Sequence, residues 1–417
     1  MTSPCRRRLR LGTALPGLLL AAGCARRPAH VHAPRTARPE AAARALPALR
    51  AAEDAAAGMG EPVARAELLA QVAWGFGAAG ESNGLRRVLR AAEQAAGDVR
   101  EEAARSLAAS YVAEACARRG EVVGARRIAL ATPARGGVQA LARVAAVQAS
   151  LGDTDGAMAT AESRGKGARD PTLVLAASFR AAAGDVRATD ALTEPLLPTE
   201  RRGIASALRA SARAAAGDAD AAMAMARAVE RAPEGTRDTA IAEAARAYGR
   251  AGRAPDARSA ARQIGDPGLR TLTLAASLAA AGDSRAALVA ARSSRARDLE
   301  VALSAVAVGL ARRGDLAEAR RIAEHLEEPW ARNPAWGAVA ETLAARGDAK
   351  GTLEAAGRTA PFFRRRSLRR LARSAPPPTA QPAAPSWLGR VRDAGDRAAA
   401  YLGAAEGALG IAYEDGL

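Results

Sequence analysis

The chain has 417 residues, three cysteines and a formal net charge of +17, with hydrophobic residues at 49% but aromatic ones at only 3%. Cysteines at 5, 24 and 116 cannot form a disulfide framework, and so few aromatics exclude a core of large side chains, leaving alanine-rich helices packed through many small contacts. Nearly all the basic residues are arginine, with lysine only at Lys166 and Lys350. No finger, ribonucleoprotein or helix-turn-helix signature is present, so nucleic acid is not an expected partner, and the charge points to anionic lipid, cell-wall polymer or an acidic protein.

In chain order, Arg6, Arg7, Arg8 and Arg10 precede a short apolar stretch, Leu11 to Ala22, and then Gly23-Cys24. The stretch is too short to span a bilayer and suits a secretory signal. The small residues before Cys24 resemble the bacterial lipobox. That resemblance implies cleavage before Cys24, acylation of its thiol, and a protein anchored in the cell membrane or outer membrane, facing periplasm or exterior. Residues 1–23 are thus the predicted signal peptide and 24–39 a Pro/Arg-rich tether; His30 and His32 read as solvated tether residues, and no metal site is expected.

From residue 40 to 374 the chain repeats. Gly-Asp recurs at 152, 184, 217, 282, 314 and 347, with Gly80-Glu81, Gly120-Glu121 and Gly252-Arg253 as weaker copies, at a period mostly of 32–33 residues. A fixed period of this size means stacked supersecondary units. Seven residues before every Gly stands Ala: Ala73, Ala113, Ala145, Ala177, Ala210, Ala245, Ala275, Ala307 and Ala340. Ala also recurs five residues after, as in Ala157 and Ala287. Gly in a left-handed conformation ends one helix and Asp caps the next, so each unit is predicted to be a helical hairpin. The second helices are expected to end near Pro133, Pro171, Pro198, Pro233, Pro267 and Pro329.

Ala145, Gly152 and Ala157, and their counterparts in the other units, resemble the small-residue positions of the tetratricopeptide repeat. The resemblance covers roughly residues 60–360 and implies an all-α, right-handed αα-solenoid of about nine hairpins whose first helices line a concave binding groove. Mapped onto that groove, most positions carry Ala or Ser. The larger exceptions include Glu114, Arg118, Arg246, Arg250, Arg312 and Glu341, which are the candidate specificity residues or else ordinary solvated positions. No catalytic residue and no cofactor is expected. His325 is the single histidine in the repeats, which leaves no partner for a histidine-based triad, and no His-Glu-x-x-His, Cys-x-x-Cys or P-loop motif occurs.

Where the repeat stops, Arg364, Arg365, Arg366, Arg369 and Arg370 crowd beside Phe362, Phe363, Leu368 and Leu371. This reads as a docking surface for an anionic partner, or alternatively as the solvated face of the last packed helix. A Pro-rich linker, 375–386, leads to a predicted helical segment, 387–417, able to fold back and cap the array. The expected role is a lipid-anchored envelope scaffold that binds other envelope proteins through its repeat surface. The second reading is a surface protein that binds anionic lipid or wall polymer through the Arg-rich face.

Overall fold

A computed structural model of the chain describes residues 37–230, 232–374 and 387–411. The signal peptide, nearly all the tether with Cys24, His30 and His32, and the 375–386 linker lie outside the described residues. Among those described there are helices and no strands. A single helix, α1 (Pro39–Ala57), precedes nine consecutive hairpins. These are α2/α3 (Pro62–Ala78, Ser82–Gly97), α4/α5 (Glu102–Arg118, Val122–Ala131), α6/α7 (Ala134–Ser150, Thr154–Glu162), α8/α9 (Lys166–Ala182, Val186–Thr193) and α10/α11 (Arg202–Ala216, Ala219–Arg227). Then come α12/α13 (Thr236–Arg250, Ala254–Ala261), α14/α15 (Pro267–Ala281, Ser284–Arg292), α16/α17 (Ala296–Arg313, Leu316–Glu324) and α18/α19 (Pro329–Ala345, Ala349–Gly357). Two further helices follow, α20 (Pro361–Ser374) and α21 (Ala394–Leu409).

The Gly-Asp pairs do what the spacing predicts. All nine glycines have φ between +72° and +94°, the left-handed region where a Cβ is penalised. In every unit the amide after the Gly donates back to the carbonyl five residues earlier, as Asp218 N does to Arg213 O at 2.9 Å and Asp283 N to Leu278 O at 2.9 Å. This bond satisfies a carbonyl that the ending helix would leave open. The Asp side chain then accepts from the third amide onward: Asp153 from Gly156 (2.9 Å), Asp218 from Ala221 (3.0 Å), Asp283 from Ala286 (3.1 Å) and Asp348 from Gly351 (2.9 Å). The alanines seven before each Gly are all fully buried. They lie where first helices meet, and their size sets how closely the backbones approach. The second helices that end at Ala131, Ala261 and Glu324 stop shortly before Pro133, Pro267 and Pro329, as expected, and Pro171 is the exception. Pro267 and Pro329 open the next first helix, where a missing N–H is harmless, and Pro171 lies inside α8.

First helices pack on first helices in unbroken succession from α2 to α20, whereas second helices mainly touch their own hairpin and the next first helix. The first helices therefore form the inner layer. The succession does not end at α20. Helix α21 packs against α20 on one side and against both α1 and α2 on the other. Leu402 and Leu409 of α21 share one core with Leu49, Ala52 and Ala56 of α1 and with Leu69, Val72 and Phe76 of α2. In this hairpin α21 takes the first-helix position and α1 the second, so the unit is assembled from the two ends of the chain. The array is thereby closed into a ring. Between α20 and α21, Trp387, Leu388 and Val391 cover Leu368 and Leu371 where a second helix would otherwise lie.

Candidate functional site

Sequence mapping treats the positions six, three and two before each Gly as groove positions. The structure brings several of them together, but inward. Glu114 (1% exposed) and Arg118 (4%) of α4 are buried with Arg143 (5%) of α6. Arg118 Nε donates to Glu114 Oε1 at 2.9 Å and Arg143 Nη1 to Glu114 Oε2 at 2.6 Å. The Arg143 guanidinium lies 4.6 Å from the Tyr111 ring centre and 5.2 Å from that of Phe179, so it joins three successive inner helices. Burial disfavours the Glu114 charge, yet Arg118 and Arg143 together outweigh it and hold the carboxyl below the usual range. Burial pushes the Tyr111 hydroxyl up to about 12 and the Cys116 thiol likewise to about 12, which leaves neither as a nucleophile at neutral pH.

Glu341 of α18 is likewise buried and receives Arg366 at 3.0 Å and Arg370 at 3.6 Å from α20. Arg246 pairs with Glu243 on its own helix. Arg250 donates to the Ala214 carbonyl at the end of α10 (2.7 Å), and Arg312 is exposed at the end of α16. The six residues mapped to one groove thus divide. Glu114, Arg118 and Glu341 are buried ion-pair members, whereas Arg246 is half-buried and Arg250 and Arg312 are exposed. The physical reason is that neighbouring inner helices pack closely enough to cover the first three positions.

The C-terminal arginines have partners one repeat further on. Arg364 pairs with Asp396, and Arg365 Nε lies 3.9 Å from Asp396 Oδ1. Arg369, 3% exposed, donates from Nε to Glu406 (3.1 Å) and from Nη1 to Gln71 Oε1 of α2 at 2.6 Å, across 298 residues of sequence. Arg373 also reaches Glu406, at 2.7 Å. The expectation of a solvated basic face is corrected here. Arg364, Arg366, Arg369 and Arg370 are turned onto Asp396, Glu341 and Glu406, whose carboxylates neutralise them. Asp396 is less well satisfied: burial pushes its carboxyl above the ordinary aspartate range, only partly offset by Arg364, and its Oδ1 has no hydrogen bond. Sequence reasoning missed Asp396, Glu406 and Gln71. The signal available was spacing, because Arg364 to Asp396 is 32 residues and Arg373 to Glu406 is 33, one repeat each.

The surface offers something else. Trp330 (53% exposed) and Phe362 (56%) stand at the starts of the adjacent inner helices α18 and α20. The two starts are held together by Asn333 Oδ1, which accepts from Ala360 N at 3.1 Å, and by Phe363, which packs over Gly337. Beside them a cleft is lined by Arg332, Asn333, Trp336 and Arg358, with the Arg358 guanidinium 4.6 Å from the Trp336 ring centre. Among the described residues no cluster of His, Cys, Asp or Glu is arranged to hold a metal, and no helix is long and apolar enough to cross a membrane. His325 is exposed, with Nδ1 2.7 Å from the Arg321 carbonyl oxygen.

No family model and no curated protein matches the chain. Among solved structures it is similar to Ton1535 from Thermococcus onnurineus NA1, at 16% identity over 67% of this chain and 92% of that one, with a TM-score of 0.24. A likeness of that size carries no argument about function.

Proposed function

We propose that the protein is a non-catalytic, lipid-anchored scaffold of the cell envelope, built from tetratricopeptide-like hairpins, which docks other envelope proteins on its repeat surface. The observation that carries the docking part is the pair Trp330 and Phe362. In a chain with 3% aromatic residues, two large rings are left in water on neighbouring helix starts, beside Arg332 and Arg358. Exposed aromatics next to arginine are the composition of interface hot spots. The anchoring part is supported by the order of charged, apolar and small residues ahead of Cys24. The reading through an Arg-rich face has less support, because Arg364, Arg366, Arg369 and Arg370 already face intramolecular carboxylates.

The test combines proximity labelling in the host with two variants. Trp330→Ala with Phe362→Ala should remove the labelled partners while leaving the circular dichroism spectrum helical. Cys24→Ser should move the protein from the detergent phase to the aqueous phase. Partners unchanged by the double substitution would reject this docking edge, and a wild-type protein already in the aqueous phase would reject the anchor.

A further inference from the structure

The ring is closed by a helix that differs from the inner helices of the nine hairpins. The first helices from α2 to α18 each run through a Gly-centred turn into the second helix of their own hairpin. Helix α21 has no such partner in sequence; its hairpin mate is α1, from the other end of the chain. Its seat is shaped for one straight helix with small residues at fixed positions. A Cβ added at Gly403 would run into the Arg369 carbonyl, and one at Gly407 would approach the Arg373 carbonyl at 2.7 Å, so the α21 and α20 backbones lie in near contact. On the opposite side Leu402 meets Leu49 over Gly75, which has no side chain to obstruct them. Register is fixed by charge: Glu406 accepts from Arg369 and Arg373, and Arg369 is shared with Gln71.

We propose that the groove between α20 and the N-terminal pair α1/α2 is a helix-exchange site, and that its second occupant is α21 of another copy of this chain. The chemistry the groove accepts is written in its present occupant: Gly at positions four apart, leucine one residue before the first Gly, and a carboxylate one residue before the second. Only a helix with that pattern satisfies Arg369 and Arg373 while letting the backbones touch. Another copy supplies the same pattern in the same register, and exchange leaves every buried group with the partner it has now. Asp396 Oδ1 and Arg365 Nε are buried, 3.9 Å apart and without hydrogen bonds, so the end of α21 that Arg364 holds through the other Asp396 oxygen also carries an incomplete contact. That is the end from which the helix can leave. The exchanged product is a pair of rings, each closed by the other's α21.

The test mixes two full-length chains whose own three cysteines are replaced by Ala. One carries Leu49→Cys and the other Leu402→Cys, two positions that meet over Gly75. Under mild oxidation an intermolecular disulfide forms only when α21 of one copy lies on α1 of another. The expected result is severalfold more cross-linked heterodimer than in a control mixture of Leu402→Cys with Val123→Cys, whose side chain is 86% exposed on α5. Equal yields in the two mixtures would overturn the proposal. If either cysteine chain loses helicity, a fluorescent peptide of residues 387–411 is titrated into the full chain carrying Glu406→Gln, whose own α21 is weakened. Saturable binding, severalfold weaker for a peptide that itself carries Glu406→Gln, supports exchange; the absence of binding rejects it.

Discussion

The repeats from α4 to α19 and the closing pair α21/α1 build the same hairpin by different means. In the repeats each joint is local. A glycine with positive φ ends one helix, in most units an aspartate caps the next, and a fully buried alanine sets the contact between neighbours. In the closing pair no turn connects the two helices, so glycine in the helix interior and charge across the interface take over these tasks. Gly403 and Gly407 bring α21 onto α20, and Glu406 fixes its position against Arg369, Arg373 and Gln71. Continuity of the chain can stand in for specific contacts; where continuity is absent, specificity comes from buried ions whose loss is costly.

This contrast can be broken from either side, and the largest effect is expected in the closing pair. Glu406→Gln leaves Arg369 and Arg373 without their carboxylate. Removing one member of a buried pair typically destabilises by about 3–5 kcal/mol. Hydrogen exchange should show the loss concentrated in α1, α2, α20 and α21, with α8 to α16 still protected. Uniform loss around the ring would mean that closure and repeats unfold as one unit.

Within the repeats, Ala275→Leu should overpack a fully buried seam between α14 and its neighbours, at about 1–3 kcal/mol by denaturant titration. Protection should fall in α12 to α16 and not in α21. Asp283→Ala removes a cap from α15 and should reduce stability by about 1 kcal/mol, again locally.

A further comparison separates two buried carboxylates by pH. Glu114 is held below its ordinary value of 4.5, so its contribution is fully present above that value and is lost as pH falls through the lower folded-state value. Asp396 is raised above 3.8, so its charged form opposes folding at neutral pH, and that opposition is relieved as pH falls through its raised value. Acidification should therefore weaken the α4–α6 contact before it weakens the Asp396 end of α21. Asp396→Asn should be close to neutral at pH 7, whereas Glu114→Gln should be clearly destabilising. A larger loss in Asp396→Asn than in Glu114→Gln would reverse the assignment.

The two regions were also unequally legible. Gly217-Asp218 can be read because all that it does happens within a few residues: a positive φ, a returning amide, a cap. The alanine seven before each Gly is legible for the same reason. The groove assignment of Glu114, Arg118 and Glu341 failed because sequence gives a helix face but not how tightly the next inner helix covers it. Arg369 was legible as a charge and not as a bond, since Gln71 lies 298 residues away. Its other partner, Glu406, sits 37 residues on, close to one repeat, as do the pairs Arg65–Asp98 and Arg253–Asp220, each at 33. The period therefore encodes ion pairs as well as turns, and Trp330 and Phe362 stand out only once the other aromatic side chains among the described residues are seen to be buried or half-buried.

Closure also changes what the repeat number means. An open array can gain or lose a unit by duplication or deletion, and its ends simply shift along the axis. In a ring the final helix must arrive back at α1 in register, so the angle per unit and the number of units are tied together as an integer condition. Evolution of this chain by whole-unit duplication would then proceed in jumps, each needing a new curvature all the way round, while the short Gly-Asp joint stays free to vary in its flanking residues.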